Sequence, residues 1–302
     1  MANITAAMVK DLREKTDAGM MDCKKALVAT DGDFEKAVVW LREKGLAKAA
    51  KKAGVVAAEG LCNYVVSGNK VVLFELNSQT DFVAQNAKFI ALLDQVGQII
   101  ASSNATNTEE ALAIDVNGKT LETVIMEASG TIGEKISLRR VQVLTKTDAQ
   151  VFGAYKHMGG RIVTVSVLAG NDEVVAKDVA MHVAALAPKY VSKDDIPADV
   201  VAKEKEVILA AALNENAASP KPKPENIIAE RIVPGRLEKN LKEICLLSQA
   251  FVKNPDLTVE QYVKGAKSEV VTFVRLEVGE GIEKVETDFA AEVAAQAAAA
   301  AK

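Results

Sequence analysis

One plan of residues is written twice in this chain. The segment GNKVVLFELNSQTDFVAQNAKFIALLDQV starts at residue 68, and GGRIVTVSVLAGNDEVVAKDVAMHVAAL starts at residue 159. Each runs from a glycine turn through a continuous apolar stretch, then a polar loop containing acids, then residues with helical periodicity. An apolar run of this length bounded by turn residues is a buried strand, and the pattern after it is an amphipathic helix. Two copies predict a duplicated α+β core of two subdomains with antiparallel sheets. Leu61–Val66, Lys70–Leu76 and Ile136–Leu144 supply the strands of the first, and Val151–Lys156, Arg161–Leu168 and Val270–Val278 those of the second. The first helix pattern is expected to run unbroken from about Asp81 to Ser102. A second is expected over roughly 107–128, interrupted near Asn117-Gly118.

The segments flanking this core have other periodicities. Over the first 55 residues, Met8, Val9 and Leu12 form one short apolar stripe. Met20 or Met21 with Cys23, Ala26 and Leu27 forms another, and Phe34, Ala37, Val38 and Leu41 a third. Gly19 breaks the first pair, and Asp33 can cap the third helix. This is a three-helix bundle, expected over 1–55. The core N-subdomain is expected over 56–147, and the core C-subdomain over 148–194 and 246–278. Residues 195–245 read as an inserted antiparallel helical hairpin. Its tip carries Pro220, Pro222 and Pro224, three of the chain's 7 prolines, and no helix can pass through them. Its narrow apolar stripes predict that it stays largely solvated. Residues 279–302 form a C-terminal module, with a helix expected from about Asp288 into the alanine-rich end.

Composition excludes several classes of function. The chain of 302 residues has 37 basic and 41 acidic side chains, so it lacks the footprint of a dedicated duplex binder. Aromatics are 4%, too few for a base-stacking platform. No apolar run reaches the length that spans a bilayer. The three cysteines, Cys23, Cys62 and Cys245, are far apart and fit no metal spacing, which suits reduced thiols in a cytoplasmic protein. The opening residues mix charged and apolar side chains and match neither a secretory signal nor a transit peptide. No phosphate-binding glycine loop, dinucleotide fingerprint, nucleophile elbow or zinc motif occurs. No catalytic residue, metal site or cofactor is therefore expected. Of the two histidines, His182 lies in an apolar helix pattern and is expected to be packed. His157 lies in the turn His157-Met158-Gly159-Gly160 and reads either as a surface turn residue or as a contact on an interaction loop.

The unusual element is Thr80-Asp81-Phe82-Val83, at the junction of a buried strand and a helix. Thr80 can be the N-cap, and Asp81 complements the positive end of the helix dipole. Phe82 stands seven residues before Phe89, so the pattern alone favours a place at the start of the core stripe. The alternative is an acid and a ring presented together on a rigid tip, suited to entering another protein's pocket. Met20 and Met21 pose the same choice. The pattern favours the core, and the alternative is a soft contact surface. Lys48, Lys51 and Lys52 read as a solvated face.

Six stretches, taken together, resemble the bacterial elongation factor Ts family. They are ITAAMVKDLREKTDAGMMDCKKAL near the start, AKAAKKAG at 47–54, SQTDFVAQN at 78–86, GEKISLRR at 133–140, AMHVAALAP at 180–188 and RLEVGEGIEKVETDFAAEV at 275–293. The resemblance covers essentially the whole chain. It implies a guanine-nucleotide exchange factor that binds elongation factor Tu, both GDP-bound and nucleotide-free, with no covalent chemistry, no cofactor, no direct nucleic-acid contact and no membrane. It implies that the N-terminal bundle is a ubiquitin-associated-like module docking on the partner's GTP-binding domain. It further implies that Thr80, Asp81, Phe82 and Val83 disturb the partner's Mg²⁺ site, and that Met20, Met21 and His157 are contact positions. The proline-rich hairpin tip and the alanine-rich end depart from the family pattern. The rival class is an adaptor or chaperone-like binding protein without exchange activity.

Overall fold

The computed structural model describes residues 4–16 and 18–283. The helix expected from Asp288, and with it most of the C-terminal module, lies outside the described residues. Helices α1 (Ala6–Thr16), α2 (Met20–Ala29) and α3 (Phe34–Lys51) come first. Strands β1 (Glu59–Ser67) and β2 (Lys70–Ser78) follow, joined by a two-residue turn in which Gly68 has φ 58°. Next come α4 (Asp81–Ala84), α5 (Ala87–Ala101), α6 (Thr108–Leu112), α7 (Leu121–Ile132) and β3 (Ile136–Thr145). The second half contains β4 (Gln150–His157), β5 (Ile162–Ala169), α8 (Glu173–Leu186), α9 (Ala198–Ala217), α10 (Glu225–Ile227) and α11 (Val233–Ile244). It closes with β6 (Ala250–Phe251), β7 (Asn254–Thr258), α12 (Val259–Gly265) and β8 (Glu269–Glu277). The sheets have strand orders β1-β2-β3, β4-β5-β8 and β6-β7, so the fold is α+β.

The chain divides into two compact units. The first comprises Met1–Leu61, Phe74–Gln142 and Glu277–Lys302; the second comprises Cys62–Leu73 and Val143–Leu276. In the first, α1, α2 and α3 close over Val9, Leu12, Cys23, Ala26, Leu27 and Ala37. Asp33 caps α3 by accepting the Lys36 N–H at 3.0 Å, and that backbone bond holds its carboxyl below the usual range. The second half of α3 lies along α7, with Gly45 meeting Gly130. One buried acid organises the lower part of the unit. Glu75, fully buried on β2, receives Arg139 and Arg140 of β3 and the backbone N–H of Gly279 at 2.8 Å. The turn after β8 is thereby fixed to β2.

In the second unit, β4 and β5 pair antiparallel, from Gln150 opposite Ala169 to His157 opposite Ile162. Helix α8 covers them through Val175, Val179 and Val183, packed with Leu168, Phe251, Val263 and Val270. The approach is unusually close. Thr164 and Ser166 of β5 donate their hydroxyls to the α8 carbonyls of Ala180 and Ala176, both at 2.7 Å. Gly153 of β4 faces the backbone of Ala176, where a Cβ would have no room. His182 of α8 is fully buried, as its apolar surroundings predict. Its Nδ1 accepts the Val252 N–H at 3.1 Å, so Nε2 carries the proton and donates to Gln249 at 2.9 Å. Burial holds this imidazole below its ordinary pKa.

Helices α9 and α11 form the expected hairpin, closed over Ile208, Ala212, Ile228 and Val233. Asn216 seals its tip by bonding both backbone groups of Lys223, at 2.7 and 2.9 Å. The returning arm is not one continuous helix. A π-helical turn, Ile228–Ile232, separates α10 from α11. Pro234 follows it, and a proline in that position removes a backbone donor, which a local change of helical pitch accommodates. The segment 246–268, to which the sequence reading assigned no elements, holds β6, β7 and α12.

Candidate docking site

The single helix expected from Asp81 to Ser102 is two helices. Gln85 closes α4, and Asn86 caps α5 by accepting the Lys88 N–H at 2.9 Å. The break decides the fate of Phe82. Phe89 is fully buried in the stripe of α5, but Phe82 belongs to the separate turn of α4 and is 81% exposed. The core position favoured by the seven-residue spacing is therefore corrected. Spacing along a helix has no meaning across a cap that starts the helix afresh.

This exposed turn is rigidly held from beneath. Thr80 has the extended conformation of an N-cap, and its Oγ1 accepts the Val83 N–H at 3.4 Å. The carboxylate of Glu134 accepts both the Thr80 N–H, at 3.1 Å, and the Thr80 hydroxyl, at 2.9 Å. Next to it, Gln79 accepts the Lys135 N–H at 2.9 Å, and Ser78 donates to the Thr80 carbonyl at 2.9 Å. Ala84 is buried, Val83 is half-buried, and Asp81 and Phe82 are exposed. A ring left in water forgoes about 2 kcal/mol of burial. Here it stands beside a carboxylate on a turn with little freedom to fold it away.

Met20 and Met21 begin α2 and are 55% and 62% exposed, so the core reading is corrected for them as well. Cys23, Ala26 and Leu27 take the inward positions of that short helix. Both methionines belong to the same unit as Thr80–Val83. His157 belongs to the other unit, at the end of β4, where it is exposed and its Nδ1 lies 3.2 Å from the Tyr155 hydroxyl. The following Met158 is exposed and has φ 48°, a left-handed conformation that costs a non-glycine residue energy and presents its side chain outward.

Glu134 was not identified from the residues. It sits in the GEKISLRR stretch, but no spacing rule links it to Thr80, 54 residues earlier. The Glu75–Arg139–Arg140 cluster was missed for the same reason. Among the described residues, no group of three His, Cys, Asp or Glu side chains could hold a metal ion. The described cysteines are buried and form no disulfide. No helix of the described residues is long and apolar enough to cross a membrane.

The sequence of this chain is matched by known proteins along most of its length. The family profile described as Elongation factor TS matches residues 79–280. The chain is also 54% identical, over 294 residues, to the Elongation factor Ts of Acholeplasma laidlawii (strain PG-8A), covering 97% of this chain and 98% of that protein. It is a translation elongation factor by class. The chain belongs to the elongation factor Ts family, as its sequence motifs imply.

Proposed function

We propose that this chain is the guanine-nucleotide exchange factor of elongation factor Tu and that it works through Asp81 and Phe82. The observation that supports this most is the exposure of Phe82 on a turn fixed by Thr80 and Glu134. The ring enters the partner beside its nucleotide pocket and contributes apolar burial. Asp81, brought in with it, disturbs the site that holds Mg²⁺. When that ion loses its coordination, the phosphates of GDP lose their compensating charge and the nucleotide leaves. No covalent bond is made or broken, so the chain accelerates release without enzyme chemistry. It binds the empty partner more tightly than the GDP-bound one, and linkage requires GDP to weaken that binding by the same factor.

The three-helix unit, read as a ubiquitin-associated-like module, presents Met20 and Met21 to the GTP-binding domain, and His157 adds a contact from the second unit. The chain acts in the cytoplasm, where translation runs, without binding nucleic acid or membrane.

The test is release of a fluorescent GDP from elongation factor Tu, followed by stopped flow with unlabelled GDP in excess. Substoichiometric amounts of this chain should discharge the whole pool of loaded partner. Stable complex formation with GDP retained would instead make the chain an adaptor.

A further inference from the structure

Helix α7 touches both of the surfaces placed in contact with the partner from the first unit. At Gly130 it meets α3, the helix that carries the three-helix unit. A Cβ on Gly130 would lie 2.6 Å from the carbonyl carbon and oxygen of Gly45, so the two backbones are as close as helices can come. The seam is closed along its length by Arg42 paired with Glu127, by Lys52 on the carbonyl of Gly133, and by Lys135 on the carbonyls of Ala53 and Val55 at 2.7 and 2.9 Å. Just past this same C-terminal end, α7 also holds Glu134. Ser129 of α7, buried, donates to the Glu134 carbonyl and accepts the Ile136 N–H at 3.2 Å. The backbone of Glu134 is thus locked to the helix while its carboxylate holds the N–H and hydroxyl of Thr80.

We propose that α7 with its Gly133-Glu134 extension is a bracket. It holds the three-helix unit and the Asp81–Phe82 turn at a fixed spacing, so that both engage the partner at once. Gly130 and Glu134 are its positioning residues. Neither touches the partner: Gly130 acts through Gly45 and α3, and Glu134 acts through Thr80. A ring on an unbraced turn must be ordered during binding, and that ordering opposes the step at which nucleotide leaves. The inference rests on the exchange reading given above.

The experiment titrates the full chain against elongation factor Tu carrying fluorescent GDP and separates the plateau release rate from the half-saturating concentration. Glu134→Ala should lower the plateau about tenfold, the equivalent of one lost charge-assisted hydrogen bond, and leave half-saturation near wild type. Glu134→Gln, which keeps an acceptor, should recover part of the loss. The double variant Glu134→Ala/Phe82→Ala should release GDP no more slowly than Phe82→Ala alone, since Glu134 acts through that turn. Gly130→Ala should raise half-saturation with the plateau kept. Gly45→Ala, whose Cβ would lie at an ordinary 3.7 Å from Gly130, should match wild type. If Gly130→Ala does not fold, Arg42→Ala opens the same seam and should shift half-saturation in the same direction.

A merely structural role would lower the melting temperature and the active fraction, raising apparent half-saturation for Glu134→Ala with no fall in plateau. That result overturns the bracket. So does a double variant whose losses multiply. A wild-type plateau in Phe82→Ala would keep exchange and remove the site assigned to that ring. A slowed Phe82→Ala beside an unaffected Glu134→Ala removes the bracket alone.

Discussion

Glu134 and Thr80 are 54 residues apart in sequence, and the carboxylate of one accepts both the N–H and the hydroxyl of the other, at 3.1 and 2.9 Å. This pair converts a four-residue helix, too short to be stable by itself, into a fixed platform. The exposure of Phe82 follows from it. The ring neither packs beneath the turn nor moves with a flexible loop.

The buried acid Glu75 should dominate the stability of the first unit. Its carboxylate receives Arg139, Arg140 and the Gly279 N–H. Glu75→Ala would take the buried carboxylate from two partly buried guanidinium groups, leaving them Glu280 and the Glu277 carbonyl, and breaking such a pair costs about 3 kcal/mol. Urea denaturation should show a loss of that order. A loss under about 1 kcal/mol would mean that water replaces the carboxylate without difficulty.

Gly153→Ala should be the most damaging methyl in the second unit. Its Cβ would fall 2.0 Å from the backbone of Ala176, and neither β4 nor α8 can retreat while Thr164 and Ser166 bond the same helix. The expected cost is about 3 kcal/mol. Gly54→Ala, whose Cβ meets nothing within 4 Å, is the control and should change stability little. Equal melting temperatures for the two variants would contradict the close approach.

His182 predicts a pH dependence of definite sign. Its folded-state pKa lies below the ordinary 6.5 because burial disfavours the charged ring. Below pH 6.5 the unfolded chain therefore binds the extra proton and the folded chain resists it. The stability contributed by the neutral ring is complete above pH 6.5 and erodes as pH falls below that value toward the lowered pKa. Protonation would also set Nδ1–H against the Val252 N–H. The urea midpoint should fall more between pH 7.5 and pH 5.5 in the wild type than in His182→Gln. Identical slopes would show that the ring titrates normally.

Much of the fold could be read from periodicity, because burial imposes it locally. β2 and β5 are largely apolar runs and declare themselves as covered strands, and the prolines at 220–224 mark the hairpin tip. The failures arise where local spacing misleads or where a partner lies far along the chain. The spacing from Phe82 to Phe89 is helical, but Asn86 restarts the helix between them. Met20 and Met21 have side chains that suit a core, but Cys23, Ala26 and Leu27 already fill the inward face of α2. Glu75 with Arg139, and Thr80 with Glu134, are partners brought together by the sheet and by α7. No local pattern encodes a contact of that separation. The motif at Thr80–Val83 is visible in the sequence; the brace beneath it is visible only in the fold.

The most direct test of this account is the plateau rate of GDP release from elongation factor Tu driven by Phe82→Ala, measured beside its urea midpoint. Truncating an exposed interface anchor should slow release at least about tenfold. Because the ring is 81% exposed, the midpoint should stay at the wild-type value. Wild-type release by a stable Phe82→Ala chain, or a slow rate accompanied by a collapsed midpoint, would contradict the claim that this ring acts on the partner.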